Sequence, residues 1–136
     1  MEEQELTEKI IGCAMKVHST LGPGFLESVY QNALAYELGE AGLKFELRIA
    51  IGVRYKGVLV GDFWADMLVE QKVLVELKSN QALSPANEVQ LVNYLTATGI
   101  DIGLLINFGA ERLQFKRKTR IYRPKQSQGE NRQMTG

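Results

Sequence analysis

The chain has 136 residues, of which 45% are hydrophobic and 24% are charged. This composition is typical of a single globular domain, and it excludes a disordered chain, a collagen-like repeat and a disulfide-rich scaffold. No segment approaches about 18 uncharged apolar residues, so the sequence predicts no membrane span. The single cysteine, Cys13, cannot form an internal disulfide, and the acidic first residues are unlike a signal peptide. We therefore expect a cytoplasmic protein.

The formal net charge of zero is the sum of two oppositely charged parts of the sequence. Residues 1–111 contain 15 acidic and 8 basic side chains. Residues 112–125, the basic segment, contain no acidic side chain and seven basic ones: Arg112, Lys116, Arg117, Lys118, Arg120, Arg123 and Lys125. Such a segment can bind the phosphates of a nucleic acid. The alternative interpretation is an edge strand that its charges keep soluble.

Two helices are predicted at the start of the chain. Apolar residues recur at helical spacing over residues 6–21 and again over residues 26–38. The Gly-Pro-Gly sequence at 22–24 separates the two helices, and Gly42 is the predicted C-terminal cap of the second.

From Phe45 onward the hydrophobic period changes to two, which predicts β-strands. Three strands over 45–55, 58–69 and 73–78 are expected to form an antiparallel meander, with Lys56-Gly57 as the first hairpin turn.

The second half of the chain predicts a crossover. Ser84 and Pro85 are a typical start for a helix, which is expected to end at Gly99. The apolar run over 100–108 then predicts a strand covered on both faces, parallel to the third strand and reached by a right-handed connection. A last strand over 113–122 carries most of the basic segment.

These elements predict an α/β fold with a mixed sheet flanked by helices. One domain is expected over residues 1–123. Residues 124–136 lack hydrophobic periodicity and are predicted to be a disordered tail.

The third strand separates polar from apolar side chains. Glu76 and Lys78 are two residues apart and share one face, while Val73, Val75 and Leu77 share the other. The second strand has a matching pattern, because Ala65, Met67 and Val69 are predicted to form its apolar face. If the hairpin is centred on Gln71, paired residue numbers sum to 142, and Asp66 lies opposite Glu76. A one-residue slip would separate the two carboxylates and disrupt both apolar rows.

Two carboxylates opposed across a strand pair repel each other, so something must offset their charge. Lys78 is one candidate, and a divalent cation with oxygen ligands is the stronger one. Two carboxylates, a cation and a lysine are also what phosphodiester hydrolysis requires. The alternative interpretation is an ordinary solvated surface of acidic and basic residues.

At these residues the chain resembles a known family. Asp66 followed by Glu76-Leu77-Lys78 resembles the signature of the PD-(D/E)xK nuclease superfamily, with Ala65 at the position of the proline. The sequence Gly24-Phe-Leu-Glu27-Ser-Val-Tyr30 is similar to the GxxExxY motif that names one branch of it. The resemblance extends from about Leu6 to Tyr122 and implies a restriction-endonuclease-like core.

The resemblance also implies roles for individual residues. Asp66 and Glu76 would bind Mg²⁺ or Mn²⁺, with the Leu77 carbonyl as a further ligand and Glu27 directed at the metal. Lys78 would orient the attacking water or stabilise the developing charge. Gln90 and Tyr94, one turn apart on the crossover helix, resemble the polar helix motif of related nucleases.

Some of these residues have simpler interpretations. Glu27 is also a favourable acidic residue for the first turn of a helix, and Tyr30 is also a plausible core residue. Gln90 and Tyr94 could equally form a polar helix face beside the sheet.

The sequence thus predicts a Mg²⁺-dependent nuclease acting on nucleic acid, DNA by family analogy. The predicted contacts to nucleic acid are Arg112, Lys116, Arg117, Lys118, Arg120, Tyr30 and Tyr94. The alternative is a non-catalytic domain of the same fold that binds nucleic acid or a protein partner. A homodimer is compatible with either function.

Overall fold

The computed structural model describes residues 3–121, which form three helices and five strands. The helices are α1 (Gln4–Leu21), α2 (Glu27–Glu40) and α3 (Pro85–Thr98), and the strands are β1 (Phe45–Tyr55), β2 (Val58–Val69), β3 (Val73–Lys78), β4 (Ile102–Asn107) and β5 (Gln114–Thr119). The predicted tail and the end of the last predicted strand lie outside the described residues. Within 3–121, none of the helices combines the length and apolar character that crossing a membrane needs.

The five strands form one mixed sheet in the order β1-β2-β3-β4-β5. β3 and β4 are parallel, and the other neighbours are antiparallel. The meander, the crossover through α3 and the parallel fourth strand are therefore confirmed. All six residues of β4 are buried, as expected for a strand covered on both faces.

Turn and cap residues set the limits of these elements as the sequence predicted. Lys56 and Gly57 both have positive φ, and Tyr55 pairs with Val58 across this two-residue turn. Ser84 caps α3 in a capping box with Asn87. Gly99 ends the same helix in the left-handed conformation, with φ 77°.

The β2–β3 register is the predicted one. Three consecutive pairs, Met67↔Val75, Leu68↔Leu74 and Val69↔Val73, each have residue numbers that sum to 142. Because side chains alternate along a strand, this register separates the row that faces α1 and α2 from the row that faces α3.

The sheet has a hydrophobic core on each face. Met67 and Val69 pack with α1 and α2, whereas Ala65 packs with α3. The prediction that Ala65 shares a face with Met67 and Val69 is therefore wrong. The β1–β2 pairing skips Arg48 and Asp66, and Arg48 has a φ of 59°, so the side-chain alternation changes at this point. Such a ladder irregularity can redirect a side chain, and here it coincides with Asp66.

Candidate active site

Two carboxyl groups meet where β2 and β3 begin to separate. The Asp66 Oδ2 atom accepts a hydrogen bond of 2.7 Å from the Leu77 backbone N–H, which holds this side chain against β3. The side chain of Glu76 is only 5% exposed. Burial raises the pKa of the Glu76 carboxyl to about 9, and a hydrogen bond with Asp66 and the Asp66 charge act in the same direction. The charge of Lys78 opposes this shift but does not cancel it.

Side chains from α3 extend this site. The Lys78 Nζ atom lies 3.5 Å from the Gln90 Oε1 atom, so the amide of Gln90 holds the ammonium group beside the carboxyl pair. Burial raises the pKa of the Tyr94 hydroxyl, and the charges of Glu76 and Asp66 raise it further. The structure therefore brings Gln90 and Tyr94 together with Asp66, Glu76 and Lys78.

Glu27 is the exposed first residue of α2, and it lies near the same ends of the strands. The Ser79 hydroxyl, one residue after Lys78, donates a 2.6 Å hydrogen bond to the carbonyl of Phe25. This bond holds the turn before Glu27 against the loop that follows β3. In the described part of the chain, however, no three His, Cys, Asp or Glu side chains are close enough together to hold a metal ion.

Tyr30 has a structural role. Its side chain is fully buried and stacks on Phe108, with ring centroids 4.6 Å apart and planes 8° from parallel. Its hydroxyl donates to the Gly22 carbonyl at 2.5 Å and accepts from the Phe25 backbone N–H at 3.1 Å. The prediction that Tyr30 contacts nucleic acid is therefore wrong, because its side chain is not accessible to a ligand. The tyrosine instead fixes the turn that precedes Glu27.

Asn107, for which no role was predicted, organises the loop after Lys78. Its side chain is fully buried at the end of β4. The Oδ1 atom accepts from the backbone N–H groups of Asn80 and Gly109, and the Nδ2 atom donates to the Asn80 carbonyl and to Gln114. The only sequence feature that could have indicated this role is an asparagine followed by Phe-Gly at the end of an apolar strand. Single polar residues of this kind have no periodicity that would identify them.

The basic segment is partly engaged within the protein. Lys118 forms a 2.6 Å ion pair with Glu88, and Arg120 pairs with Asp101 at 2.9 Å. Arg117 donates to the hydroxyl of the buried Thr7 at 3.0 Å. Arg112 and Lys116 are exposed. The five cations that were predicted as one phosphate-binding group therefore differ in their availability.

The donor set of this site is compatible with a magnesium ion. Asp66 and Glu76 offer carboxylate oxygens. Leu77, between Glu76 and Lys78 on β3, offers its backbone carbonyl oxygen. Mg²⁺ prefers hard oxygen ligands and commonly uses one or two carboxylates while it keeps several waters. A bound cation would also stabilise the ionised form of Glu76, which burial and the neighbouring Asp66 disfavour. Two carboxylates therefore suffice, and a third is not required.

Comparisons with known proteins agree with this arrangement. A family model described as the PD-(D/E)XK nuclease superfamily matches residues 4–118. The crystal structure of a protein called SSO0001 is similar, with a TM-score of 0.52 and 17% sequence identity, and the match covers 89% of this chain. This chain spans 60% of that structure, so the likeness supports the fold alone. No curated protein matches the sequence. The expected restriction-endonuclease-like α/β fold is confirmed.

Proposed function

Because the chain belongs to the PD-(D/E)XK nuclease superfamily, we propose that it is a Mg²⁺-dependent nuclease that hydrolyses phosphodiester bonds in DNA. Mn²⁺ is the expected substitute for Mg²⁺. The observation that carries this proposal is the carboxyl pair of the buried Glu76 and the half-buried Asp66, with Lys78 two residues beyond Glu76 on the same strand. Ionising both carboxyl groups at this position is costly for the fold unless a cation is bound between them.

Each residue has a proposed task. Asp66, Glu76 and the Leu77 carbonyl hold the metal, which when bound polarises the phosphate and favours ionisation of water. Lys78 stabilises negative charge that develops on the phosphate, and Gln90 keeps its ammonium group in place. Glu27 contributes through water at the mouth of the site, since it is exposed at the start of α2.

The substrate is proposed to approach along the basic segment. Arg112 and Lys116 are exposed and would contact phosphates directly, while Lys118 and Arg120 would exchange their carboxylate partners for phosphates. Within the superfamily we assign the chain to the GxxExxY branch, on the strength of Gly24, Glu27 and Tyr30. We place the protein in the cytoplasm, since its one cysteine is a buried thiol.

The test is a cleavage assay on single- and double-stranded DNA and RNA with Mg²⁺, Mn²⁺ or EDTA. We expect metal-dependent cleavage of the wild type and losses of at least about 100-fold in Asp66→Asn, Glu76→Gln and Lys78→Ala. Asp62→Asn is the matched control, because it removes an exposed carboxylate from the same strand as Asp66. Cleavage that survives all three substitutions would contradict the proposal. Nucleic-acid binding without metal-dependent cleavage would instead favour the non-catalytic alternative.

A further inference from the structure

A groove of about 1160 Å³ lies between the β1–β2 hairpin and α3, next to the candidate active site. Gln90 and Tyr94 belong to both, since Gln90 contacts Lys78 and the Tyr94 hydroxyl is influenced by the two carboxylates. A molecule lying in this groove would therefore extend directly to the proposed catalytic groups.

The lining of the groove has the chemistry of a base-binding surface. Phe63 is 43% exposed, and its ring lies 5.8 Å from that of Tyr94, so the two rings form an aromatic surface that is partly open to solvent. The amides of Gln90 and Asn93 add hydrogen-bond donors and acceptors, and the guanidinium of Arg54 adds donors. Aromatic faces beside polar amides are the usual means of holding unpaired bases.

The charge of the groove is favourable for a polyanion. Acidic side chains outnumber basic ones by 15 to 8 in residues 1–111, yet none of the lining residues is acidic and one is Arg54. This distinguishes the groove from most of the acidic part of the chain. It also favours a nucleic-acid strand over a basic peptide as the occupant.

We propose that this groove binds the bases of unpaired nucleotides, so that the enzyme acts on single-stranded nucleic acid or on strands with unpaired ends. This inference deepens the proposed nuclease function and rests on it. Inside a duplex the faces of the bases are stacked on one another, so away from the duplex ends Phe63 could stack only on a base that has left the helix. Small-molecule sites in proteins usually have volumes of about 300–1,000 Å³. The groove, at about 1160 Å³, therefore has room for at least one nucleotide.

The test compares two neighbouring aromatic residues on β2. Phe63 and Trp64 are both substantially exposed, but they point to opposite faces of the strand, and only Phe63 lines the groove. Trp64 instead lies beneath the guanidinium of Arg48 at 5.2 Å. We expect Phe63→Ala to lower affinity for a single-stranded oligonucleotide about tenfold, and Trp64→Ala to leave it unchanged.

Binding is measured by fluorescence anisotropy in EDTA, with DNA and RNA strands, a duplex of the same sequence and an abasic strand of equal length. This binding assay does not depend on cleavage. A protein that fails to cleave but still prefers natural strands to abasic ones would therefore refute the proposed nuclease activity and support the proposed base-binding groove. The wild type should discriminate against the abasic strand and the duplex, and Phe63→Ala should not. Asn93→Ala, at an exposed position, provides a second variant if Phe63→Ala fails to fold. Equal binding of natural and abasic strands by the wild type would overturn the proposal. So would a dimer that Phe63→Ala dissociates in sedimentation analysis.

Discussion

Asn107 and Glu76 are both buried polar residues on the adjacent strands β4 and β3, and they differ in how their polar atoms are satisfied. Asn107 makes four hydrogen bonds, two through each polar atom, to groups of the surrounding loops and β5. Glu76 instead faces a second carboxyl group, and its pKa is raised to about 9. Fully bonded polar networks stabilise a unique fold, whereas like-charged pairs weaken it.

The difference separates residues that build the site from residues that act in it. Asn107 holds the loop that follows Lys78, Tyr30 holds the turn that precedes Glu27, and the polar side-chain atoms of both residues are used for that purpose. The carboxyl pair has no such network, and its oxygen atoms can bind a cation that displaces the proton of Glu76. Substitutions in the first group should lower stability, and removing Glu76 should raise it.

The largest expected change in stability is the loss from Asn107→Ala. The substitution leaves two backbone N–H groups and the Asn80 carbonyl without their partner in a buried position. We expect a loss of about 2–4 kcal/mol in the free energy of unfolding, measured by urea denaturation. Asn93→Ala, at an exposed position of α3, is the control and should change stability by less than about 0.5 kcal/mol. A loss no larger than that of the control would show that this network does not hold the loop.

Tyr30→Phe should give a smaller loss of the same kind. The ring can keep its stacking on Phe108, while the Gly22 carbonyl and the Phe25 N–H lose their partner. We expect a decrease of about 1–2 kcal/mol in the free energy of unfolding. Tyr36→Phe is a matched control on the same helix, since Tyr36 is 65% exposed. Equal effects of the two substitutions would refute the structural role assigned to Tyr30.

Glu76→Gln should change stability in the opposite direction, and only above mildly acidic pH. The unfolded chain ionises this carboxyl above its ordinary pKa of 4.5, whereas the folded protein keeps its proton up to about pH 9. The folded state therefore binds more protons between these values, and stability falls as pH rises through that range.

Thermal unfolding in EDTA measures this effect. The Glu76→Gln variant should melt on the order of 5 °C above the wild type at pH 8 and close to it at pH 4. Glu111→Gln, at an exposed position, should follow the wild type at both values. A variant that melts below the wild type at pH 8 would contradict this expectation, because it would show that the Glu76 carboxyl stabilises the fold.

The smallest effects are expected in the basic segment, where Lys116 and Lys118 provide a second comparison. Lys116 is exposed, whereas Lys118 is paired with Glu88 at 2.6 Å. Lys116→Ala should reduce the slope of log affinity against log salt concentration by about 1 in titrations with DNA. Lys118→Ala should reduce this slope less, because Lys118 must break its ion pair with Glu88 before it can contact a phosphate. Equal slopes for both variants and the wild type would exclude this segment from binding.

Most of the fold was predictable because it follows from local patterns. The period-two alternation in β2 and β3 gave the correct register, and Lys56-Gly57 and Ser84-Pro85 marked a turn and a helix start. Ala65 was assigned to the wrong face because the alternation in β2 changes beside Asp66, where the β1–β2 pairing skips Arg48 and Asp66 and Arg48 has a left-handed backbone. Nothing in an arginine indicates that conformation, so alternation alone could not locate the change.

The site was predictable only in part. The predicted hairpin register is correct, and Asp66 and Glu76 lie together just beyond the last of its three described pairs, Met67↔Val75. Tyr30 was wrongly expected to reach nucleic acid, since its burial depends on packing against Phe108, which lies far away in sequence. The partners of Arg117 and Lys118 also come from distant elements. Long-range contacts of this kind leave no trace in local sequence patterns.

The central claim is that Asp66 and Glu76 together hold one divalent cation. Isothermal titration of the protein with Mn²⁺ tests it most directly, with Asp66→Asn, Glu76→Gln and the control Asp62→Asn measured in parallel. We predict one ion bound per chain in the wild type and in the control, and binding weakened at least about tenfold in the other two variants. Equal affinity in all four proteins, or no binding by the wild type, would contradict the account.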